Sequence, residues 1–115
     1  MVSKIILVVL AIIVVFVLYQ RFTAVRISGG DARVLVSEGA MLVDVRSPGE
    51  FSGGHIEGAI SIPIQELAGR TDELGVKSDP IVLYCQSGAR SAMAKRLLES
   101  KGFTQVHDMG SMRSW

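Results

Sequence analysis

The sequence predicts an α/β domain built on a parallel sheet and preceded by one N-terminal apolar helix. Three observations carry this prediction. Residues 5–19 form an unbroken apolar run that nothing later in the chain resembles. After residue 26, helix-like and strand-like segments alternate, the pattern of a parallel α/β sheet. One of those segments, 81–84 (Ile-Val-Leu-Tyr), is apolar on both faces, as a central strand has to be. With 115 residues, 49% of them hydrophobic, the chain can bury one core and carry an appendage.

The apolar run (IILVVLAIIVVFVLY) lies between Lys4 and Gln20-Arg21. As a helix its fifteen residues rise roughly 22 Å, less than the ~30 Å hydrocarbon core, so Val2, Phe22 and the stems of Lys4 and Arg21 have to complete a span. Residues 19–25 (YQRFTAV) offer a signal peptidase only a Thr-Ala pair. A buried helix would have to hide β-branched side chains on every side. The expectation is therefore a single-pass anchor in a bacterial-type inner membrane, with residues 1–26 as anchor and linker and 27–115 as the α/β domain. Arg21, Arg26 and Arg33 outnumber Lys4 and the terminal amine, which favours a cytoplasmic domain and leaves the opposite orientation open.

Ser28 precedes Asp31 at capping-box spacing, Ala32, Leu35 and Val36 follow at helical intervals, and Gly39 ends that helix. Residues 41–45 (MLVDV) read as a buried strand, broken behind by Pro48-Gly49; 59–62 (AISI) read as a second, ending at Pro63. Ile64, Leu67 and Leu74 suggest a short, imperfect helix. Asp79-Pro80 introduces the central strand 81–84, a helix follows over 88–101 with Met93, Leu97 and Leu98 as its buried stripe, and 105–108 is the last strand. The five methionines read as core filler.

A net charge of +1 provides no field to hold nucleic acid. A single cysteine excludes an intramolecular disulfide and starves a cysteine-based zinc site of ligands. No metal or organic cofactor is implied.

The segment that carries chemistry is Tyr84-Cys85-Gln86-Ser87-Gly88-Ala89-Arg90-Ser91. It lies between a buried strand and a helix, at the carboxyl end of the sheet, where ligands of open parallel sheets bind. If the loop curls so that its N–H groups point inward, a Cys85 thiolate sits in a nest of donors at a helix N-terminus, with Arg90 adding positive charge. Such surroundings favour the thiolate, the reactive species, and would stabilise an incoming oxyanion as well. Gly88 permits the positive φ of the tight turn.

At these residues the chain resembles the rhodanese-homology family. The resemblance runs over 27–115 and rests on the loop from Cys85 to Arg90, 42–46 (LVDVR), Glu50-Phe51, 55–59 (HIEGA) with Ile62-Pro63, and Gly110-Ser-Met112 with Trp115. It implies a three-layer fold around a parallel sheet of about five strands. It also implies a catalytic cysteine that takes sulfane sulfur from a small anionic donor such as thiosulfate, becomes a persulfide, and passes the sulfur to a thiol or cyanide. Carried onto this chain, Cys85 is the nucleophile and the backbone of Gln86, Ser87, Gly88, Ala89 and Arg90 forms the substrate cradle. Asp44, Arg46 and Ser91 support the loop, with an Arg46–Glu50 ion pair expected. Four residues separate Cys85 from Arg90, where phosphatases of this type have five, and Tyr84 stands where they have His. Sulfurtransferase chemistry is thus favoured over a phosphatase or arsenate reductase. A non-enzymatic binding module at the membrane is the other alternative.

His55 is assigned to a structural turn, because a preformed thiolate needs no base. Lys95, Arg96 and Lys101 read as the wet face of their helix, or as a docking patch for an acidic partner. Gly110-Ser111 replaces the usual Gly-Gly, and a shortened final helix is expected to weigh on stability rather than chemistry.

Overall fold

Residues 81–85 alternate perfectly between two apolar environments, and the architecture follows from that. The computed structural model describes residues 2–23 and 25–115, with side chains described over 3–19 and 25–115. In the third strand, β3 (Ile81–Cys85), every residue is buried. Ile81, Leu83 and Cys85 face one core cluster with Val43, Val45, Ile62, Leu67, Ala94 and Leu98. Val82 and Tyr84 face another with Ala32, Leu42, Ile56 and Met109. A strand of period two with both faces apolar can only sit inside a sheet covered on both sides.

The sheet is β2 (Ile60–Ser61), β1 (Met41–Asp44), β3 and β4 (Val106–Ser111), in that spatial order and parallel throughout. After the N-terminal helix α1 (Val2–Thr23), α2 (Gly29–Ser37) contributes Ala32 to one face, with Leu35 and Val36 packed beside it. The other face carries α4 (Ile64–Leu67) and α5 (Ala89–Ser100). Ser28 caps α2, its side chain accepting from Asp31 N at 3.1 Å. Behind β1, Pro48-Gly49 does more than break the chain: Pro48 opens α3 (Pro48–Ser52), and Ser47 and Glu50 close a reciprocal capping box.

Three expectations are corrected. Among the described residues the sheet has four strands, not about five. Only the Ile27 N–H among the described residues, donating to Asp108 O at 2.9 Å, reaches the free edge of β4, and one bond does not make a strand. Among the described residues no helix is long and apolar enough to cross a membrane. That overturns the transmembrane anchor over 5–19, the single-pass membrane placement and the orientation argued from it. The limit is length: fifteen apolar residues rise roughly 22 Å against ~30 Å of hydrocarbon. The side chains of Val2, Arg21 and Phe22, expected to complete the span, lie outside those described. The described apolar side chains of α1 are exposed, and none enters either core cluster. Finally, α5 buries Ser91, Ala94 and Leu98, with Leu97 partly covered, while Met93 points outward and is no core filler. The small side chains of Ser91 and Ala94 let the helix lie close on the sheet.

β4 runs further than 105–108. Its pairing with β3 slips by one residue, Leu83 opposing Asp108 and Tyr84 opposing Gly110, so Met109 is the extra residue of a bulge. The bulge sets Asp108 and Gly110 at the end of the sheet where the cysteine loop begins. The C-terminal segment is a 3-10 turn, Met112–Ser114, whose cap is Ser111: its side chain accepts from Arg113 N at 3.2 Å.

Candidate active site

Cys85 is the last residue of β3, and α5 begins four residues later. Gly88, the N-cap, has φ 102°, in the left-handed region that favours glycine. That turn swings the Gly88 N–H back to donate to Cys85 Sγ at 2.9 Å. The thiol lies 3.6 Å from Ser91 Oγ, and the Ser91 hydroxyl donates to Gly88 O at 3.1 Å. Burial pushes the Cys85 thiol up, but the Ser91 N–H and hydroxyl and the N–H groups of Gly88 and Arg90 outweigh it, and the net shift is downward. Cys85 is fully buried at the floor of this ring of donors.

Beneath the loop, Asp44 and Arg46 form a buried pair. Arg46 Nη2 donates to Asp44 Oδ2 at 2.8 Å and to Gly54 O at 2.7 Å; Nε lies 3.1 Å from both Asp44 oxygens. Nη1 reaches Gln86 Oε1 at 3.4 Å, so the pair touches the cysteine loop directly. Hydrogen bonding to Asp44 raises the Arg46 pKa against the desolvation that opposes it. The Tyr84 hydroxyl accepts from Ile56 N at 3.1 Å, and burial pushes its pKa up to about 12.

The expected Arg46–Glu50 pair is absent. Glu50 instead takes Arg90 in a two-pronged contact, Nη1 to Oε1 at 2.6 Å and Nη2 to Oε2 at 2.9 Å. Hydrogen bonding from Arg90, then from Ser47, holds the Glu50 carboxyl down at about 2. Arg90 therefore supplies its backbone N–H to the sulfur and gives its guanidinium to α3. Gln86, Ser87 and Ala89 complete the loop, and Ser91 sits under the thiol. His55 stacks on Phe51, ring centroids 3.7 Å apart, with Nδ1 2.9 Å from Phe51 O, in the turn assigned to it.

Arg26, assigned from sequence to the linker, lies at this site. A Cβ on Gly88 would meet Arg26 Cζ at 2.6 Å and Nη1 at 2.9 Å; one on Gly110 would meet Cδ at 3.0 Å and Nε at 3.1 Å. The guanidinium thus occupies the space two glycines leave open. No local sequence signal marks this contact, since it depends on the Met109 bulge bringing Gly110 beside the loop.

Comparison with known proteins agrees with this geometry. The model of the rhodanese-like domain matches residues 29–115. The uncharacterized protein YqhL of Bacillus subtilis is 42% identical over 77 residues, which are 66% of this chain and 60% of that protein's length. The thiosulfate sulfurtransferase PspE of Escherichia coli is 35% identical over 72 residues, covering 62% of this chain and 69% of PspE. Among solved structures, the human single-domain sulfurtransferase TSTD1 superposes with a TM-score of 0.68 at 31% identity, covering 78% of this chain and 93% of that one.

Proposed function

Because the chain belongs to the rhodanese-like sulfurtransferase family, we propose that it moves sulfane sulfur from thiosulfate to a thiophilic acceptor through a persulfide on Cys85. The single observation that carries this reading is the 2.9 Å contact from Gly88 N to Cys85 Sγ, at the centre of a donor ring that lowers the thiol pKa.

The Cys85 thiolate attacks the outer sulfur of thiosulfate. Its electron pair forms the new S–S bond, the S–S bond of thiosulfate breaks, and sulfite leaves with the electron pair of the broken bond. The product is a Cys85 persulfide anion. Its terminal sulfur takes the place of the thiolate before the N–H groups of Gly88, Arg90 and Ser91, which stabilise negative charge in either state. Cyanide or an acceptor thiolate then attacks the terminal sulfur, the persulfide bond breaks, and the pair returns to Cys85. With cyanide the product is thiocyanate. Neither step moves a proton, so no general base is required and His55 stays in its turn.

Cys85 is nucleophile and sulfur carrier; Gln86, Ser87, Gly88, Ala89 and Arg90 form the cradle by backbone; Ser91 holds the thiol and the Gly88 carbonyl; Asp44 and Arg46 brace the loop through Gln86. The test is turnover: thiosulfate and cyanide should give thiocyanate with the wild type and none with Cys85→Ser. A wild type that makes no thiocyanate and transfers no sulfur to a thiol contradicts the reading.

A further inference from the structure

Among the described residues three arginines stand around the cysteine loop, and two of them are fully engaged. Arg46 is tied to Asp44 and Gly54, and Arg90 to Glu50. Arg26 is different: its side chain is half exposed, and its one charged contact among the described residues is Nε to Asp108 Oδ2 at 4.0 Å.

Its position is built rather than incidental. The Ile27 N–H, next in the chain, donates to Asp108 O at 2.9 Å and anchors the backbone beside the β4 bulge. Asp108 is buried; its Oδ1 accepts from Gly110 N at 2.7 Å, while its Oδ2 has no hydrogen-bond partner among the described residues and faces Arg26. A buried carboxylate oxygen left without a donor is a strong electrostatic tether for the nearest cation. From there the Arg26 side chain crosses Gly110 and ends against Gly88, the residue whose N–H holds the sulfur. Both glycines have positive φ, 80° and 102°, so an ordinary side chain is disfavoured at either position.

The geometry points to Arg26 as the residue that binds the oxyanion end of the incoming sulfur donor and selects anionic donors over neutral ones. Its planar guanidinium presents forked donors suited to two oxygens of a sulfonate-like group. Bound there, the group stands beside Gly88 with its outer sulfur toward Cys85. The inference rests on the proposed sulfur transfer for its substrate, but its charge selectivity can be read without turnover.

The test is the alkylation rate of Cys85, the single cysteine of the chain, by iodoacetate and by iodoacetamide, which differ in charge. It is run on the full chain as wild type, Arg26→Gln and Arg26→Lys. The iodoacetate-to-iodoacetamide rate ratio should fall about tenfold in Arg26→Gln and by no more than about threefold in Arg26→Lys, as removal of a charge-assisted contact demands. In thiocyanate assays, Arg26→Gln should raise KM for thiosulfate about tenfold with kcat within about twofold. An unchanged alkylation ratio, or equal losses with charged and neutral reagents, overturns the role. If the ratio falls as stated but the wild type transfers no sulfur, the anion contact stands and the sulfurtransferase reading fails.

Discussion

Arg90 and Glu50 clasp each other across forty residues, Nη1 to Oε1 at 2.6 Å and Nη2 to Oε2 at 2.9 Å, and so fasten the first turn of α5 to α3. The conspicuous cation of the loop is thereby used to brace it, which leaves charge recognition to a residue from another part of the chain.

This clasp makes stability depend on acid. The Glu50 carboxyl is held at about 2, below its ordinary 4.5, chiefly by hydrogen bonding from Arg90. A depressed acid contributes stability that is complete above the unfolded value and is lost as pH falls through the folded one. Thermal melts of wild type and Glu50→Gln should therefore differ most above pH 4.5 and converge toward about 2. A difference that grows on acidification contradicts the assignment.

Asp44 and Arg46 are 0% and 4% exposed, so removing one leaves a buried charge uncompensated. Arg46→Ala should destabilise the fold by about 3–5 kcal/mol in urea unfolding, and Asp44→Asn with Arg46→Met together should recover much of that. A loss below about 1 kcal/mol for Arg46→Ala would show that the pair bears no structural weight.

Gly88→Ala meets both a φ of 102° and the Arg26 guanidinium. The variant should lose about 1–2 kcal/mol of stability from backbone strain. Because the Gly88 N–H is then misdirected, the Cys85 thiol should also titrate higher, seen as an upward shift in the pH profile of iodoacetamide alkylation.

Ser91→Ala removes the Ser91 Oγ contact with the sulfur at 3.6 Å together with its bond to Gly88 O, while leaving the glycine of the turn in place. The alkylation profile should shift upward without the stability loss of Gly88→Ala, and the rate near neutral pH should fall by about threefold. An unshifted profile would mean that Ser91 only supports the Gly88 carbonyl.

Much of this arrangement is legible in the residues. The strand 81–84 announces its central place because it is apolar on both faces. The cysteine loop announces itself because a strand, a positive-φ glycine and a helix start converge on one nucleophile. What could not be read were relationships set by tertiary register. Glu50 chooses Arg90 over Arg46 because Asp44, two residues earlier in the chain, already holds Arg46. Arg26 reaches the loop only because β4 bulges at Met109. The apolar run 5–19 shows its composition plainly, but its length falls short of a bilayer, and length governs spanning.

The central claim is that Cys85 carries sulfur, and intact-mass spectrometry tests it most directly. Incubation with thiosulfate, followed by removal of excess donor, should add about 32 Da to the wild type, localised to Cys85, and nothing to Cys85→Ser. A wild type whose mass is unchanged under conditions where iodoacetamide labels the same sulfur would contradict it.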